Sequence, residues 1–197
     1  MAFVNCKGLT YAKVATSTTG SAVTYTGGKA LTDYLCKVDM GEERADVKEH
    51  ADGHQIDAER MLNNATVALE LAATDNDIRK DLLGYSQSGT GTSAVKKITD
   101  ADPPFVGVGF ILANRHKGTV TYEAWWYYKV QFTSGGVSVS TRREQTEFQH
   151  ETINGTAMGV VQSSGGPADF VEYSDGLQTE AAARTWLNTK AGITGGG

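Results

Sequence analysis

The sequence predicts a single, mainly β domain of the α+β class, with an antiparallel β core and two peripheral helices. Apolar residues recur at every second position in several segments, which is typical of half-buried strands. Two short segments carry the signals that start and end a helix. The 197 residues include 23 glycines and only 3 prolines, a composition that suits short strands joined by tight turns.

The longest alternating segment, 120–132, predicts a strand with one wholly apolar face. Every even position in it is apolar, and Trp126, Tyr128 and Phe132 are predicted core residues. The odd positions form a mixed face. This strand should therefore lie with its even-numbered side against the core.

The preceding segment, Phe105–Leu112, predicts a second strand with Phe110 in the core. A turn near Lys117-Gly118 would join it to the long strand as an antiparallel hairpin. Gly107 and Gly109 fall on one face of this strand, so we expect a large neighbour such as a tryptophan to lie against the backbone there.

Further strands are predicted where shorter segments alternate or carry strand-like residues. The segment Thr24–Gly28 resembles a strand end followed by a turn. The other candidates are Gly8–Val14, Leu35–Met40, Asn64–Ala72 and Glu144–Thr152.

Two helices are predicted from capping signals. Thr74–Asp77 has the pattern of a capping box, and Gly84 is expected to end the helix that follows. The second helix is expected to begin near Thr179-Glu180 and to stop at Gly192, with Trp186 and Leu187 as core residues.

The segment Asp39–Arg60 is the most unusual part of the sequence. It has eight acidic and three basic residues, so its charge (3 − 8 = −5) equals the formal net charge of the whole chain. It has few large apolar residues, and Asp52-Gly53 is a hairpin-turn signal at its middle. Such a segment is either disordered or completed by another molecule.

Residues that carry chemistry are sparse. Cys6 and Cys36 are the only cysteines, and we expect two buried free thiols rather than a disulfide scaffold. His50 and His54 flank the predicted turn, where a solvated or interface role is favoured over a metal site. No cofactor motif is found, and no secretory signal is expected. These residues favour a structural or interaction protein over an enzyme.

Several strings, taken in order, resemble the major tail proteins of long-tailed, non-contractile bacteriophages, of the phi13-type tail-tube family. The resemblance covers about residues 8–191. Its strings are Tyr25–Leu31 (YTGGKAL), Ala101–Phe110 (ADPPFVGVGF), Trp125–Phe132 (WWYYKVQF), Glu147–Thr156 (EFQHETINGT) and Thr185–Asn188 (TWLN).

The resemblance implies a β-sandwich or barrel-like tail-tube domain over residues 1–191, with a flexible glycine-rich tail at 192–197. It implies homohexameric rings that stack into the virion tail tube after assembly in the host cytoplasm. The implied partners are the tape-measure protein, the tail terminator and the distal tail proteins, with double-stranded DNA passing through during ejection. No membrane partner and no cofactor are implied.

The resemblance also gives the acidic segment a role as an inter-subunit hairpin arm, at about residues 41–62. In relatives, a long loop leaving the inner sheet contacts neighbouring subunits or rings. The candidate contact residues are Arg44, Asp46, Lys48, Glu49, Asp52, Gly53, Asp57, Glu59 and Arg60.

A polar strand face supplies candidates for the lumen lining, since inward carboxylates would repel DNA phosphates. The alternative for this face is an outer, solvated surface. The candidates are Glu70, Gln145, Glu147, Gln149 and Glu151.

A second function remains open from the residues alone. A carbohydrate-binding or hydrolytic β-sandwich module of the tail tip would need stacked aromatics and a carboxylate pair. Trp125 and Tyr127, on the mixed face of the long strand, could supply the aromatics, and Glu147 and Glu151 are paired carboxylates.

Overall fold

The computed structural model describes residues 2–51, 54–89, 95–98, 102–136 and 150–193, and for residues 46, 47, 49–51 and 54–60 it describes the backbone alone. This part of the chain is mainly β, as predicted. The strands are β1 (Ala2–Thr16), β2 (Thr24–Leu31), β3 (Leu35–Ala51), β4 (His54–Leu71), β5 (Ser86–Ser88), β6 (Val95–Lys97), β7 (Phe105–His116), β8 (Thr119–Ser134), β9 (Glu151–Ala157) and β10 (Val171–Leu177), and the helices are α1 (Asn76–Leu82) and α2 (Glu180–Lys190).

Eight of these strands form one antiparallel sheet, in the order β2-β1-β7-β8-β9-β4-β3, with β10 paired to β8. The short strands β5 and β6 pair only with each other. Residues of β1 and β7 share one buried cluster with residues of β4 and β9, which lie further along the strand order. The sheet must therefore curve so that its two halves enclose this main core, as in a sandwich.

The hairpin of β7 and β8 forms where it was predicted. Its ladder runs from the pair Phe105–Gln131 to the pair His116–Thr119. Lys117 and Gly118 make the turn with φ of 48° and 90°, the backbone shape that twists a two-residue hairpin correctly.

The long strand β8 does not have one apolar face, which corrects the prediction from its even positions. Between Tyr127 and Val130 it contains one residue more than β7 does between the facing residues, and such a bulge shifts the alternation of side chains. Trp126 consequently packs in a second cluster beneath α2, whereas Phe132 packs in the main core. Phe110, Trp126, Tyr128 and Phe132 are all buried, as predicted.

Helix α2 covers the other face of the central strands, and glycines let it approach. A Cβ on Gly107 would lie 2.5 Å from the ring of Trp126, and one on Gly109 would lie 2.6 Å from Leu187. The expected contact between these glycines and a tryptophan is confirmed. The Trp126 Nε1–H donates to the Tyr25 hydroxyl at 3.2 Å, so the buried indole keeps a hydrogen bond.

Helix α2 begins as predicted, with Thr179 accepting a hydrogen bond from the Ala182 N–H at 3.1 Å. Its buried residues are Ala183 and Leu187. Trp186 was predicted to be buried, and this is wrong: its ring is only half-buried and lies 5.1 Å from the Lys190 ammonium. One helical step separates it from the buried Leu187, so it lies at the side of the contact stripe.

Helix α1 begins one residue later than the predicted capping box. Asp75, rather than Thr74, caps it by accepting from the Ile78 N–H at 2.9 Å. Gly84 follows the end of the helix with φ of 71°, as expected of a terminating glycine.

A charged network fixes α1 to the first two strands. The half-exposed ammonium groups of Lys13 and Lys29 lie 2.7 and 2.9 Å from the nearly buried carboxylate of Asp81, and the Tyr11 hydroxyl donates to it at 3.4 Å. Burial opposes the charge, but the two lysines outweigh it and hold the pKa of Asp81 below its ordinary value.

Three smaller predictions need correction or fall outside the description. Strand β2 continues through Gly27 and Gly28 instead of ending there. Cys6 is half-buried and Cys36 exposed, so the two free thiols are not both in the core. Of the predicted strand Glu144–Thr152, residues 144–149 lie outside the described residues.

Neither α1 nor α2 is long and apolar enough to cross a membrane.

Truncating the fully buried residue of α2 should cost more stability than truncating its tryptophan. We expect Leu187→Ala to lower the free energy of unfolding by about 2–5 kcal/mol, because it leaves a cavity against Gly109. Trp186→Ala should cost less, since part of that ring is already in water. Urea denaturation measures both, and a larger loss for Trp186→Ala would contradict this packing.

The Asp81 network should stabilise the fold only while its carboxylate is charged. Because its folded pKa is depressed, its contribution is present above the ordinary carboxylate value of about 3.9 and is lost as pH falls through the folded pKa. We expect Asp81→Asn to cost about 1–3 kcal/mol at neutral pH, with the gap to wild type closing below pH ~4. Asp175→Asn, at an exposed position, is the control. A stability gap that is independent of pH would show that the charge of Asp81 is not what stabilises the fold here.

Candidate assembly surface

The hairpin of β3 and β4 extends well beyond the sheet to which it belongs. Its ladder runs from the pair Leu35–Leu71 to the pair Ala51–His54. Strand β9 pairs with β4 only over Ala65–Leu71. Beyond the pair Glu43–Asn64 the hairpin therefore has no third strand within the described ranges. We call residues 43–64 the arm, and they overlap the predicted arm at 41–62.

The structure places most of the predicted arm residues on this ladder. Arg44 pairs with Glu42 of its own strand at 2.7 Å, and Lys48 is exposed. Asp52 and Gly53 lie outside the described residues. The backbone ladder sets Asp46 opposite Arg60, Val47 opposite Glu59, and Glu49 opposite Asp57.

The arm exposes apolar surface near its root. Met61 is 54% exposed, and Met40, just before the arm, is 39% exposed. Met40, Leu62 and Trp125 line an open depression of about 210 Å³ between the root and strands β8 and β10. An isolated two-stranded hairpin is marginally stable in water, so the described contacts leave the outer arm with little to hold it.

A continuous hydrophilic surface covers the outward side of β3, β4, β9 and the end of β8. The strand registers align its members in rows, and all of them are exposed or half-buried. This polar face contains three carboxylates against one lysine, and no side chain larger than alanine in it is apolar. Its members are Lys37, Asp39, Glu43, Asn64, Thr66, Ala68, Glu70, Gln131, Thr133, Thr152, Asn154 and Thr156.

Of the two candidate lumen residues that the structure describes, one lies on this polar face. Glu70 does, and its carboxylate is 2.9 Å from His150 Nδ1. Glu151 faces the opposite way, because its ladder partner is the core residue Leu71. It is nearly buried and pairs with Arg79 of α1 at 2.8 Å, which corrects the expectation that it shares a wetted face with Glu70. Gln145, Glu147 and Gln149 lie outside the described residues.

The aromatic residues proposed for a sugar site are arranged differently from the expectation. Tyr127 is 2% exposed and belongs to the main core. Trp125 stacks instead on Tyr173 of β10, with ring centroids 4.6 Å apart and planes 13° apart. Tyr173 is 57% exposed, so one ring of this stack faces solvent.

Basic residues from α1 and β6 also meet, which sequence spacing did not indicate. Arg79, Lys80, Lys96 and Lys97 line a hollow of about 210 Å³ together with Tyr85. In the sequence, Arg79-Lys80 and Lys96-Lys97 are two basic pairs separated by 15 residues, with nothing to indicate that they meet. Strand β6 lies beside α1 because of the tertiary fold, and no local sequence signal indicates this position.

The described part of the chain contains no group of three or more His, Cys, Asp or Glu side chains arranged to hold a metal ion. In comparison with known proteins, no family model and no curated protein matches this chain.

The arm should exchange its backbone amides faster than the strand that carries it. In the isolated chain, we expect amides of residues 44–51 and 54–63 to lose protection well before those of Ala65–Leu71, which have strands on both sides. Hydrogen–deuterium exchange with mass spectrometry measures this. Equal protection along all of β4 would show that the arm is stable by itself.

Proposed function

We propose that this chain is a structural tail-tube protein that assembles into stacked hexameric rings, as the sequence resemblance suggests. The observation that carries the proposal is the arm, a two-stranded extension that leaves its sheet with most of its ladder unsupported. A surface element of this kind is completed when it packs on another subunit.

The energetics of the arm favour a partner. Ordering about 20 residues costs on the order of 20–40 kcal/mol of backbone entropy. Within one chain, the arm offsets this cost mainly with its own ladder, and Met61 stays exposed. Contacts with a neighbouring copy would bury that surface and supply the missing stabilisation.

Charge complementarity offers a place for such a contact. The acidic segment Asp39–Arg60 carries the formal net charge of the chain, and the hollow lined by Arg79, Lys80, Lys96 and Lys97 is basic. Carboxylates of one copy would be attracted to this hollow on another. Because such exposed pairs are weak and screened by salt, they would orient the contact more than they strengthen it.

The polar face suits the lining of a DNA conduit. Hydroxyl, amide and carboxylate groups cover four strands, and a surface with three carboxylates against one lysine repels phosphates on balance. In the proposed tube this face would line the lumen, first around the tape-measure protein and then around passing DNA. The tail terminator and distal tail proteins would close the two ends of the tube in the virion.

A second candidate function is a carbohydrate-binding module of the tail tip. The stack of Trp125 and the exposed Tyr173 favours it, since sugars pack on exposed aromatic faces. Titration of oligosaccharides against tryptophan fluorescence tests this candidate, with Tyr173→Ala as the variant that should abolish any response.

Removing the arm should abolish assembly and leave the fold intact. Glu43 and Asn64 are directly paired, so Asn-Gly in place of residues 44–63 would close the hairpin with a two-residue turn. We expect wild type to form rings or tubes as concentration rises. The shortened chain should remain a folded monomer, and the double variant Lys96→Glu, Lys97→Glu should assemble less.

Light scattering and negative-stain microscopy measure assembly, and circular dichroism measures the fold. Lys117→Asn, in the exposed turn of β7 and β8, is the matched control and should assemble like wild type. Wild type that stays monomeric at high concentration would overturn the proposed function. Normal tubes from the shortened chain would overturn the role of the arm alone.

A further inference from the structure

Four chemistry-bearing side chains from separate parts of the chain meet at one end of β3. Cys36 Sγ lies 4.0 Å from His150 Nε2. The other ring nitrogen of His150, Nδ1, lies 2.9 Å from the Glu70 carboxylate. Cys6 Sγ, on strand β1, donates to the Cys36 carbonyl oxygen at 3.5 Å.

A β-bulge gives Cys36 its position. The ladder of β3 and β4 pairs Leu35 with Leu71 and Lys37 with Glu70, so Cys36 is the extra residue between them. Bulges redirect a side chain away from the regular alternation and are frequent beside functional sites. Here the bulge leaves Cys36 exposed and close to His150.

We propose that Cys36 is a nucleophilic thiol that reacts with small disulfides, with His150 as its base, Glu70 as a positioning residue and Cys6 as the resolving thiol. The order thiol, imidazole, carboxylate is that of an activated nucleophile. This inference does not depend on the tail-tube function, because it uses only contacts within one chain.

The first step is a thiol–disulfide exchange. In the tautomer whose Nδ1–H donates to Glu70, the Nε2 of His150 accepts and can take the proton of the Cys36 thiol. The thiolate attacks one sulfur of the external disulfide, so that a new S–S bond forms at Cys36 while the external S–S bond breaks. The leaving thiolate takes the proton from His150.

The second step uses Cys6. Its thiolate, after giving its proton to solvent, attacks Sγ of Cys36 and displaces the second external thiolate, which is protonated by solvent. Two protein thiols are oxidised to one Cys6–Cys36 disulfide, and the external disulfide is reduced to two thiols. The disulfide would join β1 to β3, two strands that are not paired with each other in the sheet.

The thiols need a base to react near neutral pH. Burial and then the Glu70 carboxylate raise the pKa of Cys36, and burial is also the main cause that raises the pKa of Cys6. Without an acceptor Cys36 would remain largely protonated, and only the thiolate is nucleophilic. Cys6 gives its proton to solvent, so we expect the second step to be slower than the first. His150 is the acceptor within reach of Cys36.

The test is the reaction of the full chain with dithiobis(nitrobenzoate), followed by release of thionitrobenzoate in the presence of a chelator. We expect the wild-type chain, with its two cysteines, to release two equivalents and to end as an internal disulfide by mass. Cys6→Ser should release one equivalent and retain the adduct, and Cys36→Ser should lose the fast phase.

The base and its orientation are tested by rate. We expect His150→Gln to slow the first step by about 100-fold, the lower end of general-base effects. Glu70→Gln should also slow it, whereas Glu70→Asp should recover most of the rate, a rescue that a purely structural role would not require. His116→Gln, at an exposed turn-flanking histidine, should react like wild type.

Two results would overturn the proposal. One is a wild-type rate in His150→Gln, and the other is a fast phase that survives in Cys36→Ser. Circular dichroism melts of each variant ensure that a slower rate is compared between folded proteins. If His150→Gln does not fold, the Glu70→Gln and Glu70→Asp pair decides the question, and equal rates for these two would count against the proposal.

Discussion

Between Tyr127 and Val130, β8 holds one residue more than its partner β7, and most of the architecture depends on that extra residue. At the bulge the Tyr128 N–H donates to the Phe170 carbonyl at 3.1 Å, and the Lys129 carbonyl accepts from the Met158 N–H at 2.8 Å. The backbone groups that leave the β7 ladder are thus satisfied by the segments next to β10 and β9. Strand β8 can therefore pair with β7, β9 and β10 and contribute side chains to both cores.

The two cores differ in what they position. The cluster that includes Trp126 and Leu187 holds α2 against the central strands, and it requires the side-chain-free surface of Gly107 and Gly109. The main core draws its apolar residues from β4 and β9 as well as from β1 and β7. Because those residues turn inward, the outward side of β4 and β9 over their shared ladder has no apolar side chain larger than that of Ala68.

The hairpin of β3 and β4 links the three features on which the proposals rest: the polar face, the thiol of Cys36 and the arm. The polar face ends at Glu70, where the bulge at Cys36 brings a thiol and His150 beside it. At the other end, β9 stops pairing at Ala65 and the arm continues alone. A conduit lining, a reactive thiol and an assembly arm would thus share one hairpin, that of β3 and β4. Substitutions in this hairpin should be interpreted with all three in mind.

Much of this follows from local pattern. The hairpin at Lys117-Gly118 and the helix start at Thr179 were predictable because each depends on residues within a few positions of one another. The contact of Gly107 and Gly109 with a tryptophan was predictable because both glycines fall on one face of a strand and leave room there for a large side chain. For the acidic segment, composition indicated that little of it can be buried, and Asp52-Gly53 indicated a hairpin turn, but these signals left open whether the segment is ordered.

Other features depend on which strands pair with each other, and strand pairing cannot be predicted from local patterns in a single sequence. The bulge in β8 reverses the side-chain alternation after Tyr127, so a run of even-numbered apolar residues divides between two cores. Glu151 pairs with Arg79 instead of facing water, because the register sets it beside Leu71. The meeting of Cys6, Cys36, Glu70 and His150 likewise follows from sheet order. The sequence by itself indicated both helices and the main strands of the sheet, but not β5, β6 or β10, since hydrophobic period and capping are local signals and these strands carry neither clearly. Only the tertiary structure decided which side chains meet, because strand register and bulges depend on residues distant in the chain.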